Sequence, residues 1–465
     1  MNGRVLRTEL KRSAAPWAGV TVLGGALAFL CLIDGSWWRG TTRWTAQWTS
    51  MALLTRTTLA YLWPLAVGIG ALQGLRDSRS RMTELLATAP RPAWRRAALP
   101  AGATAIALVS GFGLLVLWGG GQVALGDTTY TPVTWLPIAL VGALALVAGA
   151  VFGMGVARAL PSALTPPALA VICLLATVLL QQHSDEERPS GLAPNRLSQL
   201  SPATAEAREM LLTLSGAVHL GQTLWFLGLL ATGFALLVAA TRRARLLAPV
   251  PALAGAALAL LVLPAAPRDT YVVDRAAAAP VCDGPVCVTE AHRSRLPELA
   301  PHGREALRLL HGVLGDEAPD TVREETALRA ITAERELSAD VVLADFDDPV
   351  LAGARGEGLT RALLAQGLVP NCSARSPRES GGRTELVAQS IAASWALGER
   401  DLTPLERYDA DDPYAGQAWK EAEAVWDRLT ALPPAEQRSR ITEARAAALS
   451  CDYGQLEALN GGTSR

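Results

Sequence analysis

Trp135-Leu-Pro-Ile-Ala-Leu-Val-Gly-Ala-Leu-Ala-Leu-Val-Ala-Gly-Ala-Val-Phe-Gly-Met-Gly-Val-Ala157 is followed, after only Arg158-Ala-Leu-Pro-Ser162, by Ala163-Leu-Thr-Pro-Pro-Ala-Leu-Ala-Val-Ile-Cys-Leu-Leu-Ala-Thr-Val-Leu-Leu-Gln181. An α-helix rises 1.5 Å per residue and needs about 20 apolar residues to cross the hydrocarbon core of a bilayer. Both runs meet that length, and five intervening residues leave room only for a helical hairpin. The same reading extends outward to seven apolar stretches, at about 15–33, 55–75, 100–119, 135–157, 163–181, 223–241 and 248–266. So many stretches with so little internal charge argue against buried helices of a soluble protein.

Charge is unevenly distributed. Hydrophobic residues make up 50% of the chain and charged residues only 18%, below the usual quarter, yet residues 267–465 are charged like an ordinary globular domain. The net charge of −1 averages these unlike halves and gives no electrostatic footprint for nucleic acid. Lys11 and Lys420 are the only lysines, so nearly all positive charge is arginine. With the abundant alanine, this suggests a GC-rich, bacterial coding sequence.

The arginines also orient the spans. Arg4, Arg7, Lys11 and Arg12 precede the first span. Arg76, Arg79, Arg81, Arg91, Arg95 and Arg96 lie between the second and third. Arg242, Arg243 and Arg245 lie between the sixth and seventh, and Arg158 joins the same side. The opposite connections are poorer in basic charge. The expectation is a bacterial inner-membrane protein with a cytoplasmic N-terminus and an extracytoplasmic C-terminus. Trp37, Trp38, Trp44 and Trp48 are then expected at the outer headgroup level. The first apolar run lacks a small-x-small cleavage site, so it reads as a retained helix.

Cys31 and Cys173 fall inside spans, whereas Cys282, Cys287, Cys372 and Cys451 fall in the C-terminal segment. An even number in an oxidising compartment suggests disulfides. Four cysteines allow three pairings. The short Cys282-Asp-Gly-Pro-Val-Cys287 loop favours one bridge there, leaving Cys372 for Cys451. Free thiols and a metal site are the alternatives, although no histidine has ligand spacing around these cysteines.

Residues 267–465 read as mainly helical. Helices are expected at Glu290–Leu314, Thr321–Leu337, Val350–Gln366, Thr384–Leu397, Gly416–Leu432 and Pro434–Leu449. Thr270–Asp274 reads as extended and Val341–Phe346 as a strand. His292, His302 and His311 form no His-Glu-x-x-His pattern, and there is no Gly-x-Ser-x-Gly elbow. Asp345, Asp347 and Asp348 lack calcium-loop spacing and suit a solvated, helix-capping turn. Glu385 and Gln389 lie on an expected core helix with Leu386, Ile391 and Trp395. No catalytic, cofactor-binding or metal-ligating constellation emerges. The spans hold no clear mid-membrane carboxylate. Asp34 and Arg56 fall near outer ends, and His219 reads as interfacial, which disfavours an ion-coupled carrier or an intramembrane enzyme. Gly24-Gly25, Gly68-x-Gly70, Gly111-x-Gly113 and Gly149-x-x-x-Gly153 suit close helix approach.

The connection between the second and third spans is the most informative loop. It reads Leu75-Arg-Asp-Ser-Arg-Ser-Arg-Met-Thr-Glu84-Leu-Leu-Ala-Thr-Ala-Pro90-Arg-Pro92-Ala-Trp94-Arg-Arg96. Residues 79–88 predict a short amphipathic helix stopped by Pro90 and Pro92, lying along the inner membrane surface. A basic loop held by anionic lipid is the other reading. The Glu-Leu-Leu-Ala-Thr-Ala-Pro-Arg-Pro pattern resembles the coupling helix of type-2 ABC exporter permeases. Val5-Leu-Arg-Thr-Glu-Leu-Lys-Arg12 resembles that family's interface helix, and the stretch Ala203–Gly216 between the fifth and sixth spans is placed similarly. The resemblance covers about residues 1–245. The family usually has six spans and ends near the sixth, whereas here a seventh span and a large domain follow.

The resemblance implies that Arg79, Arg81, Glu84, Leu85, Leu86, Pro90 and Arg91 meet a separate ABC ATPase subunit. It also implies a homodimer or a heterodimer. ATP hydrolysis would belong to the partner, since no Gly-x-x-x-x-Gly-Lys-Ser/Thr loop is present here. The expected fold is an all-α polytopic membrane domain of six to seven transmembrane helices (residues 1–266), followed by a mainly helical extracytoplasmic domain (residues 267–465). The expected function is that of a non-enzymatic permease subunit of an ATP-driven exporter, without cofactor or nucleic-acid partner. The alternative is a membrane-anchored surface or sensory protein whose external domain binds a ligand.

Overall fold

The computed structural model describes residues 15–33, 44–45, 47–76, 92–126, 128, 130–182, 196–203, 211–266, 269–326, 335–346, 348–372, 381–405, 413–452 and 454–461. The chain divides into two compact units, the first ending at Val272 and the second running from Val273 to Arg465 and taking in Thr128–Tyr130.

Each of the seven apolar stretches is helical in the first unit. They form α1 (Ala15–Leu32), the pair α2 (Trp48–Thr57) and α3 (Leu59–Gly74), and α4 (Ala93–Ala124). They continue as α5 (Trp135–Ala159), α6 (Thr165–Gln182), α7 (Gly216–Val238) and α8 (Arg242–Leu247) running into α9 (Val250–Val262). Five helices are long and apolar enough to cross a membrane, namely α1, α4, α5, α7 and the continuous Arg242–Val262. The bent α2–α3 pair makes a sixth if it is one span, and α6 is a shorter apolar helix.

The 50° bend between α2 and α3 has local causes. Thr55, Thr57 and Thr58 bond their hydroxyls back to the carbonyls of Ala52, Leu53 and Thr55, and back-bonding of this kind bends helices. Pro64, one turn further on, has no N–H to give the ladder.

Helix α5 packs against α3 and α7, α1 lies on α4, and α9 lies on α7. Small residues set these contacts. A Cβ at Gly70 would strike the Ala150 carbonyl of α5, and one at Gly153 would strike the Val67 carbonyl of α3. The backbones thus approach without side chains between them, as small-residue helix interfaces allow. Trp63 locks the same pair, its indole N–H donating to the Ala145 carbonyl at 2.9 Å. The expected hairpin after α5 is present as a tight turn, with Thr165 Oγ1 donating to Leu160 O at 2.7 Å. Helix α6 then packs chiefly along α3, with Gly68 facing Ala170. Trp44 is fully buried against Trp118, and Trp48 stacks on Trp135. Strands β1 (Leu212–Leu214) and β2 (Tyr271–Val273) form a two-stranded sheet.

The second unit is built on a four-stranded sheet of β3 (Pro280–Asp283), β4 (Val286–Thr289), β5 (Thr321–Glu324) and β6 (Val341–Ala344) in that spatial order. Strands β3 and β4 are an antiparallel hairpin turned at Gly284, whose φ of +62° suits glycine. Strands β4, β5 and β6 run parallel, and α10 (Leu296–Leu314) is the β4–β5 crossover. Gly303 lets α10 approach Val286 closely. The chain continues through α11 (Pro349–Gly353), α12 (Glu357–Leu368), α13 (Gly381–Ala396), α14 (Pro413–Thr430), α15 (Pro434–Leu449) and α16 (Gln455–Asn460).

Helices therefore dominate this unit, but two expectations are corrected. Thr321–Glu324 is strand where a helix was expected, because the parallel ladder to β4 and β6 overrides its local preference. The helix expected over Val350–Gln366 is split into α11 and α12 by Ala354–Gly356, where Gly356 takes a φ of +53°.

Candidate functional site

Arg56 stands out in the first unit as the only charged residue between Trp44 and Leu75. It lies two residues before the break at Thr58 and is fully buried, at 0% exposure. Its Nε donates to Pro202 O at 3.2 Å and its Nη2 to Gln222 Oε1 at 2.7 Å. Gln222, on α7, donates from Nε2 to Gln199 O at 2.8 Å. Gln199 in turn donates to Thr270 Oγ1 at 3.0 Å. Trp225, one turn along α7, donates to Leu200 O at 3.0 Å. The segment 198–202 is thereby clamped between the bend and α7.

Neither hydrogen-bond partner of Arg56 is charged, and no carboxylate of the described residues pairs with it. Its Nη1 has no hydrogen-bond partner among the described residues. A guanidinium keeps its charge at any physiological pH, so the bundle buries a full positive charge that, among the described residues, only dipoles hold. Such an arrangement can accept an oxyanion.

A second polar cluster lies where β4, β5 and β6 end, the edge at which parallel sheets commonly hold ligands. Buried Glu324 accepts the Thr289 backbone N–H at 2.7 Å and His292 Nδ1 at 2.6 Å. The His292 ring lies 4.5 Å from Phe346, and the Arg295 guanidinium is 5.4 Å from the same ring. Beside them Arg335, buried, pairs with Glu325 at 3.0 Å and with Asp345. Burial pulls the Arg335 pKa down, but the carboxylates of Asp345 and Glu325 outweigh it and hold the group above its ordinary value.

The chemistry of this cluster is limited by connectivity. A nucleophile–base–orienter chain needs the two imidazole nitrogens to serve different partners. Here Thr289 Oγ1, at 3.5 Å, approaches the same Nδ1 that Glu324 occupies. The pairs tie the strand ends together rather than assembling a catalytic triad. Among the described residues no group of three or more His, Cys, Asp or Glu is arranged to hold a metal.

The residues expected to meet an ATPase, Arg79, Arg81, Glu84, Leu85, Leu86, Pro90 and Arg91, lie outside the described residues, as does Asp347. The cysteines pair as Cys282–Cys287 and Cys372–Cys451, each with an S–S distance of 2.10 Å. Cys31 and Cys173 are unpaired. Asp348 caps α11 through Val350 N at 2.9 Å. Glu385 and Gln389 are buried, and both serve the backbone near Cys372. Glu385 accepts Cys372 N at 3.4 Å, and Gln389 donates to Val369 O at 2.7 Å. His302 bonds Thr360 at 3.0 Å and His311 donates to Leu307 O at 2.9 Å. The sequence carried a signal for Arg56, a lone ionisable group in an apolar run. It carried none for its partner Gln222, which lies 166 residues away.

Compared with known protein families, curated proteins and solved structures, the chain matches none.

Proposed function

We propose that this chain is the membrane-spanning permease subunit of an ATP-driven exporter, energised by a separate ABC ATPase. The observation that carries the membrane part of this reading is the outward apolar surface of the bundle. Ile172, Leu175 and Leu179 on α6, and Leu253 and Leu261 on α9, are all more than half exposed. Rows of this kind suit lipid and not water. The two disulfides support an oxidising compartment for the second unit. With the arginine bias, they favour a bacterial inner-membrane protein with its N-terminus inside and its C-terminus outside. The transport part rests on the loop 75–100 and its resemblance to a coupling helix.

The alternative, a membrane-anchored receptor, draws support from the polar cluster at the carboxyl ends of β4, β5 and β6. The two readings separate in a purification of the tagged chain from its native host in mild detergent, beside a variant carrying Glu84→Ala and Leu85→Ala. An ATPase recovered with the original and lost from the variant is the expected result. A folded, intact preparation that brings no ATPase in either form sinks the transporter reading and favours the receptor.

A further inference from the structure

We propose that Arg56 is the anchor of an oxyanion-binding site within the helical bundle, taking a phosphate or carboxylate group. The inference does not depend on the ATPase, since the site would serve a transporter or an anchored receptor equally.

Three observations lead to it. First, the guanidinium is completely buried and its partners are a backbone carbonyl and a side-chain amide, so no described residue neutralises its charge. Burying an uncompensated cation is strongly unfavourable, and arginine cannot escape by losing its proton. Second, its orientation is fixed while one terminal nitrogen is left unused. Nε and Nη2 are occupied, Gln222 is pinned by Gln199, and Nη1 has no hydrogen-bond partner among the described residues. A planar fork with a free terminal nitrogen matches the geometry of a carboxylate or phosphate oxygen.

Third, further buried polar atoms without a hydrogen-bond partner among the described residues lie in β1, at the N-cap of α7 and in its first turn, namely Thr213 Oγ1, Ser215 Oγ and His219 Nδ1. His219 and Tyr271 both lie within electrostatic reach of Arg56. Hydroxyl and imidazole groups supply the additional hydrogen bonds that a buried oxyanion requires. The purely structural account, in which Arg56 only clamps the 198–202 segment, leaves Nη1 and these three atoms without a role.

The test uses the full chain in neutral detergent, with thermal unfolding followed by tryptophan fluorescence. One arm adds inorganic phosphate against chloride at equal ionic strength. The other adds phosphatidylglycerol against phosphatidylcholine in mixed micelles. The expected result is a rise in Tm of about 3 °C near saturation, abolished in Arg56→Gln. A response to both probes identifies a free oxyanion as sufficient, and a response to phosphatidylglycerol alone identifies a lipid headgroup. Should Arg56→Gln not fold, Arg56→Lys keeps the charge but loses the fork, and its apparent affinity should fall about tenfold.

Three results would overturn the proposal. They are no rise in the original with either probe, an equal response in Arg56→Gln, and an unchanged affinity in Arg56→Lys. A fourth contrary result concerns Glu206 and Glu209, which follow Pro202 closely in sequence. If changing both to Gln destabilises the chain only while Arg56 is present, the counter-charge is internal and no ligand is needed.

Discussion

Arg56 and Arg335 are both buried arginines, and the two units treat them in opposite ways. In the second unit Arg335 sits between two carboxylates, Glu325 and Asp345, and its charge is balanced on the spot. In the first unit Arg56 is held by a carbonyl and an amide and faces no acid among the described residues. Arg445, on α15, lies between these cases. It is buried and donates to Gly367 O at 3.1 Å and Ala339 O at 2.8 Å. Its pKa is lowered because burial outweighs the attraction of Glu317 and Asp340. A paired buried charge fastens elements together, whereas an unpaired one is an open valence. The difference separates a structural arginine from one that suits a ligand.

The comparison can be broken or sharpened by substitution, read by hydrogen exchange within each unit because a chain of two units need not unfold in one step. The largest effect is expected from opening Cys372–Cys451, whose 79-residue separation gives about 4.5 kcal/mol in the loop-entropy model. Opening Cys282–Cys287, with a separation of 5, should cost only about 2 kcal/mol. Equal losses for the two would show that the bridges act through the native structure instead. Arg335→Met falls beside the longer bridge in size. It strands two largely buried carboxylates and should remove about 3–5 kcal/mol from the second unit.

Gly70→Ala forces a Cβ against the Ala150 carbonyl and should cost the first unit about 1–3 kcal/mol. The same change at Gly113, where a Cβ meets nothing, should be silent or slightly stabilising. Arg56→Met should change stability by no more than about 1 kcal/mol, because it strands no carboxylate among the described residues. A loss as large as that at Arg335 would show that Arg56 is a structural clamp and remove the contrast.

What could be read from the sequence divides along physical lines. The apolar helices were legible because burial or lipid contact writes continuous hydrophobic runs, as in 135–157. Val341–Ala344 was legible for its β-branched run and the acidic turn that ends it. The β3–β4 hairpin was not, since only four residues lie on each side of Gly284-Pro285 and the cysteines drew attention to the bridge instead. Strand β5 was read as helix because Arg323, Glu324 and Glu325 favour one locally, and its pairing lies in distant residues. The Arg56 cluster joins positions 56, 199, 202, 222 and 270, which no local pattern connects.

The central claim is that the first unit crosses a membrane and delivers the second to the outside. Alkaline phosphatase, active only where its disulfides form, tests it when fused after Arg245 or after Arg465. The account predicts an active enzyme at Arg465 and an inactive one at Arg245. Activity at Arg245 with none at Arg465, or equal activity at both, would contradict it.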